Sequence, residues 1–227
     1  MWSVALLAPV AWAACLWYAR RNPEALIALT REDGVLENVQ ALLFGVSALV
    51  SAAIAGTLFH RRRWPLALLY AVASAALVWV TGEELSWGQR LFGWTTPDWM
   101  AARNLQGETN LHNLVGLEWL VYRTMYAGAI LAVLVSWAGW GWKRRWLERA
   151  QAMWWVPHPV VIPALLCYLS GMSGILEPLT KPWYLPHQWA LVFRGLMEIR
   201  ESFLVWAVLV FLVMVWQALS ATERSRA

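Results

Sequence analysis

The chain has 227 residues, 60% of them hydrophobic and 14% charged, with a net charge of +4. Its mean hydropathy of +0.47 and its repeated apolar runs of about 20 residues exclude an ordinary soluble domain and point to membrane helices. The basic residues form loop clusters on a membrane chain, which gives no signal for nucleic-acid binding.

The expected fold is all-α, a single membrane domain over residues 1–227 with about six spans. The first span covers 2–19 and is followed by Arg20-Arg21. No positive segment precedes it, so a cleaved signal peptide is not expected. Asn22-Pro23-Glu24 reads as an N-cap, a first-turn proline and an acidic first turn, opening a short surface helix to Leu29. Thr30-Arg31-Glu32-Asp33 resembles a capping box with Asp in place of Glu. It opens the second span, 34–59, which stops at His60-Arg61-Arg62-Arg63. The third span covers 64–81, and Gly82-Glu83-Glu84-Leu85-Ser86-Trp87-Gly88-Gln89-Arg90 follows directly.

Residues 91–113 are not expected to span. Thr96-Pro97-Asp98 caps a short helix, and Phe92, Trp94, Trp99 and Met100 give the segment an apolar side suited to the membrane interface. The fourth span, 114–137, ends before Lys143-Arg144-Arg145. The fifth, 159–176, carries Ser170-Gly171 and Ser173-Gly174, small residues that let helices approach closely. The sixth covers 196–219.

Nineteen Trp residues, many flanking the spans, suit the headgroup layer. Cys15 and Cys167 both lie in apolar runs and form neither a CxxC nor a metal spacing.

An even number of spans places both termini on one side. That side carries Arg61–Arg63, Lys143, Arg144 and Arg145 and only two acids, Glu148 and Glu223. The other twelve of the fourteen carboxylates gather on the opposite side. Basic loops favour the cytoplasm. The expected location is the bacterial inner membrane, multi-pass, with both termini cytoplasmic and an acidic rim on the periplasmic face. Carboxylates at span ends are costly near hydrocarbon, which marks that rim as the place to seek a site.

Four strings carry candidate chemistry. Glu37 shares one helical face with Asp33 and Gln40 by i, i+4, i+7 spacing. Glu83, Trp87 and Arg90 repeat that spacing. Glu84 points about 100° away from Glu83 on a helix. Arg90 suits an anionic headgroup through its planar fork. Glu108 and His112 fall at i, i+4 if helix has begun there, a spacing that can place two ligands on one metal or form a hydrogen-bonded cap. Asn110 and Asn113 lie beside them, and Glu201 follows Arg194 and Glu198 on the sixth span. Ser86 lies near Glu83 and Glu84, but no His follows it at useful spacing.

The strings Gly82–Arg90 and Gln106–Asn113 together resemble an uncharacterised family of bacterial polytopic membrane proteins, a likeness that implies no mechanism. More loosely, the chain resembles the alkaline ceramidase-like membrane hydrolases, which also have an acidic element near an early span and a metal site at one face. It lacks their late His-x-x-x-His and their His-bearing early motif.

The resulting expectation is a membrane-embedded enzyme acting on a lipid or lipid-linked substrate at the outer face. Glu84, Glu108 and His112 are its catalytic candidates. Arg90, Trp87, Asn110 and Asn113 are candidates for binding substrate. Glu37, Glu84, Glu108, His112 and Glu201 are the candidate ligands of a divalent metal ion. Membrane lipids are the expected partners, with membrane-protein partners or a homo-oligomer as further options. The alternatives are a non-catalytic subunit or assembly factor of a membrane complex, and a proton-coupled transporter.

Overall fold

The computed structural model describes residues 2–31, 34–142, 156–171 and 173–224. Every long element among them is helical. In chain order these are α1 (Trp2–Arg21), α2 (Pro23–Leu29), α3 (Val35–His60), α4 (Trp64–Glu84), α5 (Gln89–Phe92), α6 (Asp98–Ala101), α7 (Glu118–Trp142), α8 (Ile162–Leu169), α9 (Ser173–Thr180) and α10 (Pro186–Arg224). Four are long and apolar enough to cross a membrane: α3, α4, α7 over Glu118–Gly139 and α10 over Gln188–Ala221. Each contains an 18-residue apolar window with at most two charges, a stretch that can sit in hydrocarbon without a large charge-burial cost. At 1.5 Å per residue, α10 measures about 58 Å over its 39 residues. That exceeds a hydrocarbon core of about 30 Å.

The chain divides into two compact units, Met1–Gln40 with Ala129–Ala227, and Ala41–Gly128. In the second unit, α3 and α4 form an antiparallel hairpin. Ser51 Oγ donates to the Tyr70 carbonyl at 2.8 Å, and Ser74 Oγ donates to the Ala48 carbonyl at 2.9 Å. Gly45 faces Thr81 in van der Waals range. Small and hydroxylated residues at a helix contact are the usual means of close approach in lipid. The hairpin turn is closed by a Schellman arrangement: Arg63 N–H donates to the Leu58 carbonyl and Arg62 N–H to that of Phe59. Arg62 occupies the left-handed position, φ +57°, that glycine usually fills.

In the first unit, α8 and α10 pack together, and α1 lies against α8. Its core includes Ala19, Leu26, Tyr168, Val192, Leu196 and Val205. Trp12 meets Phe203 edge to face at 5.7 Å. Gly195 lets α10 close on Thr30, since a Cβ there would collide with the threonine hydroxyl. Gln40 Nε2 donates to the Glu198 carbonyl at 2.7 Å and to Ser202 Oγ at 2.9 Å.

The second, third, fourth and sixth expected spans correspond to the four long apolar helices. The first is also one helix, α1, with Pro9 inside and Arg20 and Arg21 in its last turn, but it is not among those four. The fifth is corrected. Residues 159–176 form a 3₁₀ turn (Pro159–Val161), the eight-residue α8, a break at Ser170-Gly171 and the start of α9. The buried Arg200 side chain lies against Gly171 at this break, in space that a Cβ would need. The surface helix to Leu29 is present as α2. The proposed capping box reaches Glu32 and Asp33, and the Lys143–Arg145 cluster follows α7; these residues lie outside the described ones.

Candidate functional site

The richest polar cluster lies entirely within the second unit, between the end of α4 and the loop before α7. Helix α4 stops at Glu84, and three residues in succession then take positive φ: Ser86 (+45°), Trp87 (+54°) and Gly88 (+83°). Two of them are not glycine, and left-handed backbone costs such residues about 1 kcal/mol or more each. Specific bonds hold the turn. Trp87 folds its ring back over Gly82, where a Cβ would lie 2.9 Å from the indole. Its Nε1–H donates to Glu83 Oε1 at 2.7 Å. The ring also meets Trp79 edge to face at 4.8 Å.

Glu83 is the anchor of the cluster. Its second oxygen, Oε2, accepts the backbone N–H of Leu111 at 2.6 Å and of His112 at 2.9 Å. His112 Nδ1 lies 3.3 Å from the same oxygen. A buried carboxylate is stable only when hydrogen-bonded in this way.

The loop 105–113 is shaped by its own side chains. Its ends meet in an antiparallel bridge between Asn104 and Leu114, with Leu105 N–H donating to the Asn113 carbonyl and Val115 N–H to that of Arg103. Asn104 Oδ1 accepts the N–H groups of Gln106 and Glu108. Its Nδ2 donates to both the carbonyl and the side-chain oxygen of Asn110, each at 2.8 Å. Gln89 Oε1 accepts from Thr109 N–H at 2.8 Å and from the Thr96 hydroxyl at 3.1 Å. Ser86 Oγ donates to Glu108 Oε2 at 2.5 Å, and Asn110 Nδ2 reaches Glu108 Oε2 at 3.0 Å and Ser86 Oγ at 3.1 Å.

Two acid–base groupings result. One is Ser86–Glu108–Asn110. The other is Glu83–His112–Asn113, in which Asn113 Nδ2 lies 3.1 Å from His112 Nε2 and donates to Gln106 Oε1 at 2.5 Å. For a neutral imidazole, these contacts assign the tautomer. Carboxylate oxygen at Glu83 can only accept, so His112 carries its proton on Nδ1. The NH₂ group of Asn113 can only donate, so in the neutral ring Nε2 accepts from it with its lone pair. This is the pattern of an imidazole base oriented by a carboxylate.

Several sequence expectations change here. Glu108 and His112 do not share a helical face, because residues 105–113 are turns and bends and α7 begins only at Glu118. Gly107 and Gly116 have φ of +71° and +87°, which no right-handed helix contains. The two residues serve different partners. Glu83, Trp87 and Arg90 do not lie along one helix either, since the chain turns at Ser86, although Trp87 still bonds Glu83. Arg90 is the second residue of α5, and its side chain lies outside the described ones. Glu84 is half-buried on the last turn of α4, while the buried carboxylate is its neighbour Glu83. Asn110 and Asn113 both join the network.

The five proposed metal ligands divide between the units: Glu84, Glu108 and His112 in one, Glu37 and Glu201 in the other. Glu201 lies 3.5 Å from Arg200 and feels the charges of Glu198 and Glu37. Among the described residues, no group of three or more His, Cys, Asp or Glu is placed to hold a metal ion.

The sequence spacing sets Glu83 with Trp87 and Arg90 but assigns it no catalytic, binding or metal role, and it assigns none to Gln89 or Asn104. Gly82 gave the available signal for Glu83: a glycine one turn before Trp87 lets that ring fold back onto the carboxylate. No known protein family, no curated protein and no solved structure matches this chain, and the likenesses read from its short strings stand as resemblances alone.

Proposed function

We propose that the protein is a membrane-embedded enzyme acting on a lipid or lipid-linked substrate at one membrane face, with Glu83 and His112 as its acid–base pair. The observation that supports this reading is the imidazole held between Glu83 and Asn113. His112 Nε2 carries a lone pair, Glu83 holds the opposite nitrogen, and the side chain is 26% exposed. Removing a proton from water or from a substrate hydroxyl requires a base so oriented. In hydrolysis or group transfer, Nε2 would take the proton of the attacking hydroxyl as Asn113 yields its place. The oxygen would bond to the ester or phosphoester centre, and the leaving alcohol would take that proton back. Glu83 would stabilise the transient imidazolium without itself becoming protonated. The polar loop lies between the ends of α4 and α7, two helices long and apolar enough to span, and would sit where headgroups and ester linkages are found. The test is incubation of the purified protein with extracted bacterial lipid. New lipid products with the wild type, lost in His112→Ala, support the reading; identical product patterns refute it.

A second reading, a non-catalytic subunit, draws on the saturation of Glu83 and Asn104 by internal hydrogen bonds. It expects Glu108→Gln to lower thermal stability in a protein that turns over no lipid.

A further inference from the structure

The segment between α4 and α7 is built inside out. Its interior is polar: Ser86 is 0% and Asn110 2% exposed, and Glu83 and Asn104 are buried beside them. Its outside is apolar: Leu91 is 73% and Phe92 75% exposed, and Trp94, Trp99, Leu105 and Val115 are exposed as well. Phe92 and Trp94 stack at 5.5 Å, and both approach Gly88, so these rings are held in place facing outward. In water this distribution is unfavourable at every one of those side chains, and exposed apolar groups collected on one segment mark a contact surface.

We infer that residues 85–117 form a membrane-inserting cap, whose outer side chains Leu91, Phe92, Trp94, Trp99, Leu105 and Val115 bed into the headgroup–acyl boundary of the bilayer that α4 and α7 cross. Lipid is the occupant because the segment is continuous at both ends with apolar helices long enough to span, so it is tethered against one membrane face. The aromatic share fits that layer, where amphipathic rings concentrate. Asp98 and Arg103 are also exposed. They bracket α6 and keep that edge of the cap in the headgroup zone rather than in hydrocarbon. The arrangement is that of a monotopic amphipathic element carried between two spans. It does not depend on the chemistry assigned to His112.

The test uses the full chain with Cys15 and Cys167 replaced by alanine. Single cysteines are introduced as Phe92→Cys, Leu105→Cys or Val115→Cys, and as Asp98→Cys or Arg103→Cys. Each is labelled with an environment-sensitive dye in phosphatidylcholine–phosphatidylglycerol vesicles. All five positions are exposed, so labelling disturbs little packing. Brominated acyl chains should quench the first three several-fold more than the last two, and aqueous iodide should show the reverse order. If iodide reaches Phe92, Leu105 and Val115 as readily as Arg103, the proposal is overturned, and that surface is left open to a protein partner.

Discussion

Gly171 supplies the space that Arg200 fills. A Cβ at Gly171 would lie 2.6 Å from Arg200 Nε and 3.2 Å from Met197 Cε. Arg200 is 2% exposed, its guanidinium stands 5.0 Å over the Tyr168 ring, and it reaches Glu201 at 3.5 Å. An arginine buried against an aromatic face and a carboxylate has few alternative places to go. Gly171→Ala should therefore destabilise the protein by about 1–3 kcal/mol, the usual cost of overpacking. In an Arg200→Ala background the same change should cost much less, because the two residues share one space. Thermal unfolding of the four proteins in detergent measures the coupling; equal costs in both backgrounds would refute it.

Adjacent glutamates should behave very differently. Glu83 accepts three N–H groups besides facing His112, two of them on one oxygen and one on the other. In Glu83→Gln, either placement of the amide NH₂ sets donor against donor, at Trp87 or at Leu111 and His112. A loss of about 3 kcal/mol is expected, typical of buried bonds to a charged acceptor. Glu84→Gln should cost well under half of that. Comparing the two by thermal unfolding, with hydrogen exchange at Leu111 and His112 as the local readout, distinguishes an anchor from a rim residue.

Asn104 should be intolerant of an isosteric change. Its Nδ2 faces two oxygens of Asn110, while its Oδ1 accepts two backbone N–H groups. Asn104→Asp keeps the shape but sets a carboxylate oxygen against the Asn110 carbonyl and side-chain oxygen. The expected cost is about 2–4 kcal/mol, combining a lost bond with an unsatisfied buried acceptor. Loss of exchange protection at Gln106 and Glu108 N–H should accompany it; unchanged protection would mean that the loop holds by other means.

These expectations also show which parts of the structure could be read from the sequence. The spans 34–59 and 64–81 correspond closely to α3 and α4, because a long apolar run has few other conformations in lipid. Helix α7 starts at Glu118 rather than residue 114, because Gly116 takes φ +87°. Helix α10 begins ten residues before the expected 196 and runs on to Arg224, since polar residues end an apolar run without ending a helix. The site was harder. Choosing between Glu83 and Glu84 requires the helix phase at a terminal turn, which a left-handed turn at Ser86 then alters. The spacing of Glu108 and His112 suggested a helix, but Asn104 captures the amides of Gln106 and Glu108 and holds that stretch in turns. Side-chain-to-backbone bonds of that kind leave no periodic mark.

The start of α8 should be sensitive to acid. His158 Nδ1 accepts the Val160 N–H at 3.1 Å, a bond that requires the neutral ring. Burial lowers the pKa of this imidazole below its ordinary 6.5. The unfolded chain then binds the proton first as pH falls, so local stability is complete above 6.5 and is lost as pH drops toward the folded value. Exchange protection of Val160 and Val161 N–H, corrected for intrinsic rates, should fall on acidification through this window. His158→Asn retains a capping acceptor and should abolish the dependence; an unchanged pH profile in that variant would show that another group is responsible.

The central claim is that His112 acts as a base on lipid. Its most direct measurement is the rate of product formation from extracted lipid by wild type, His112→Ala and Asn113→Ala, each shown to unfold at a similar temperature. Truncating His112 should reduce turnover by about 10²-fold or more, the usual share of a general base. Truncating Asn113, which occupies Nε2 and donates to Gln106 Oε1, should leave turnover within a few-fold of wild type or raise it. Equal turnover by wild type and His112→Ala, or none by the wild type under any lipid composition tried, would contradict the account.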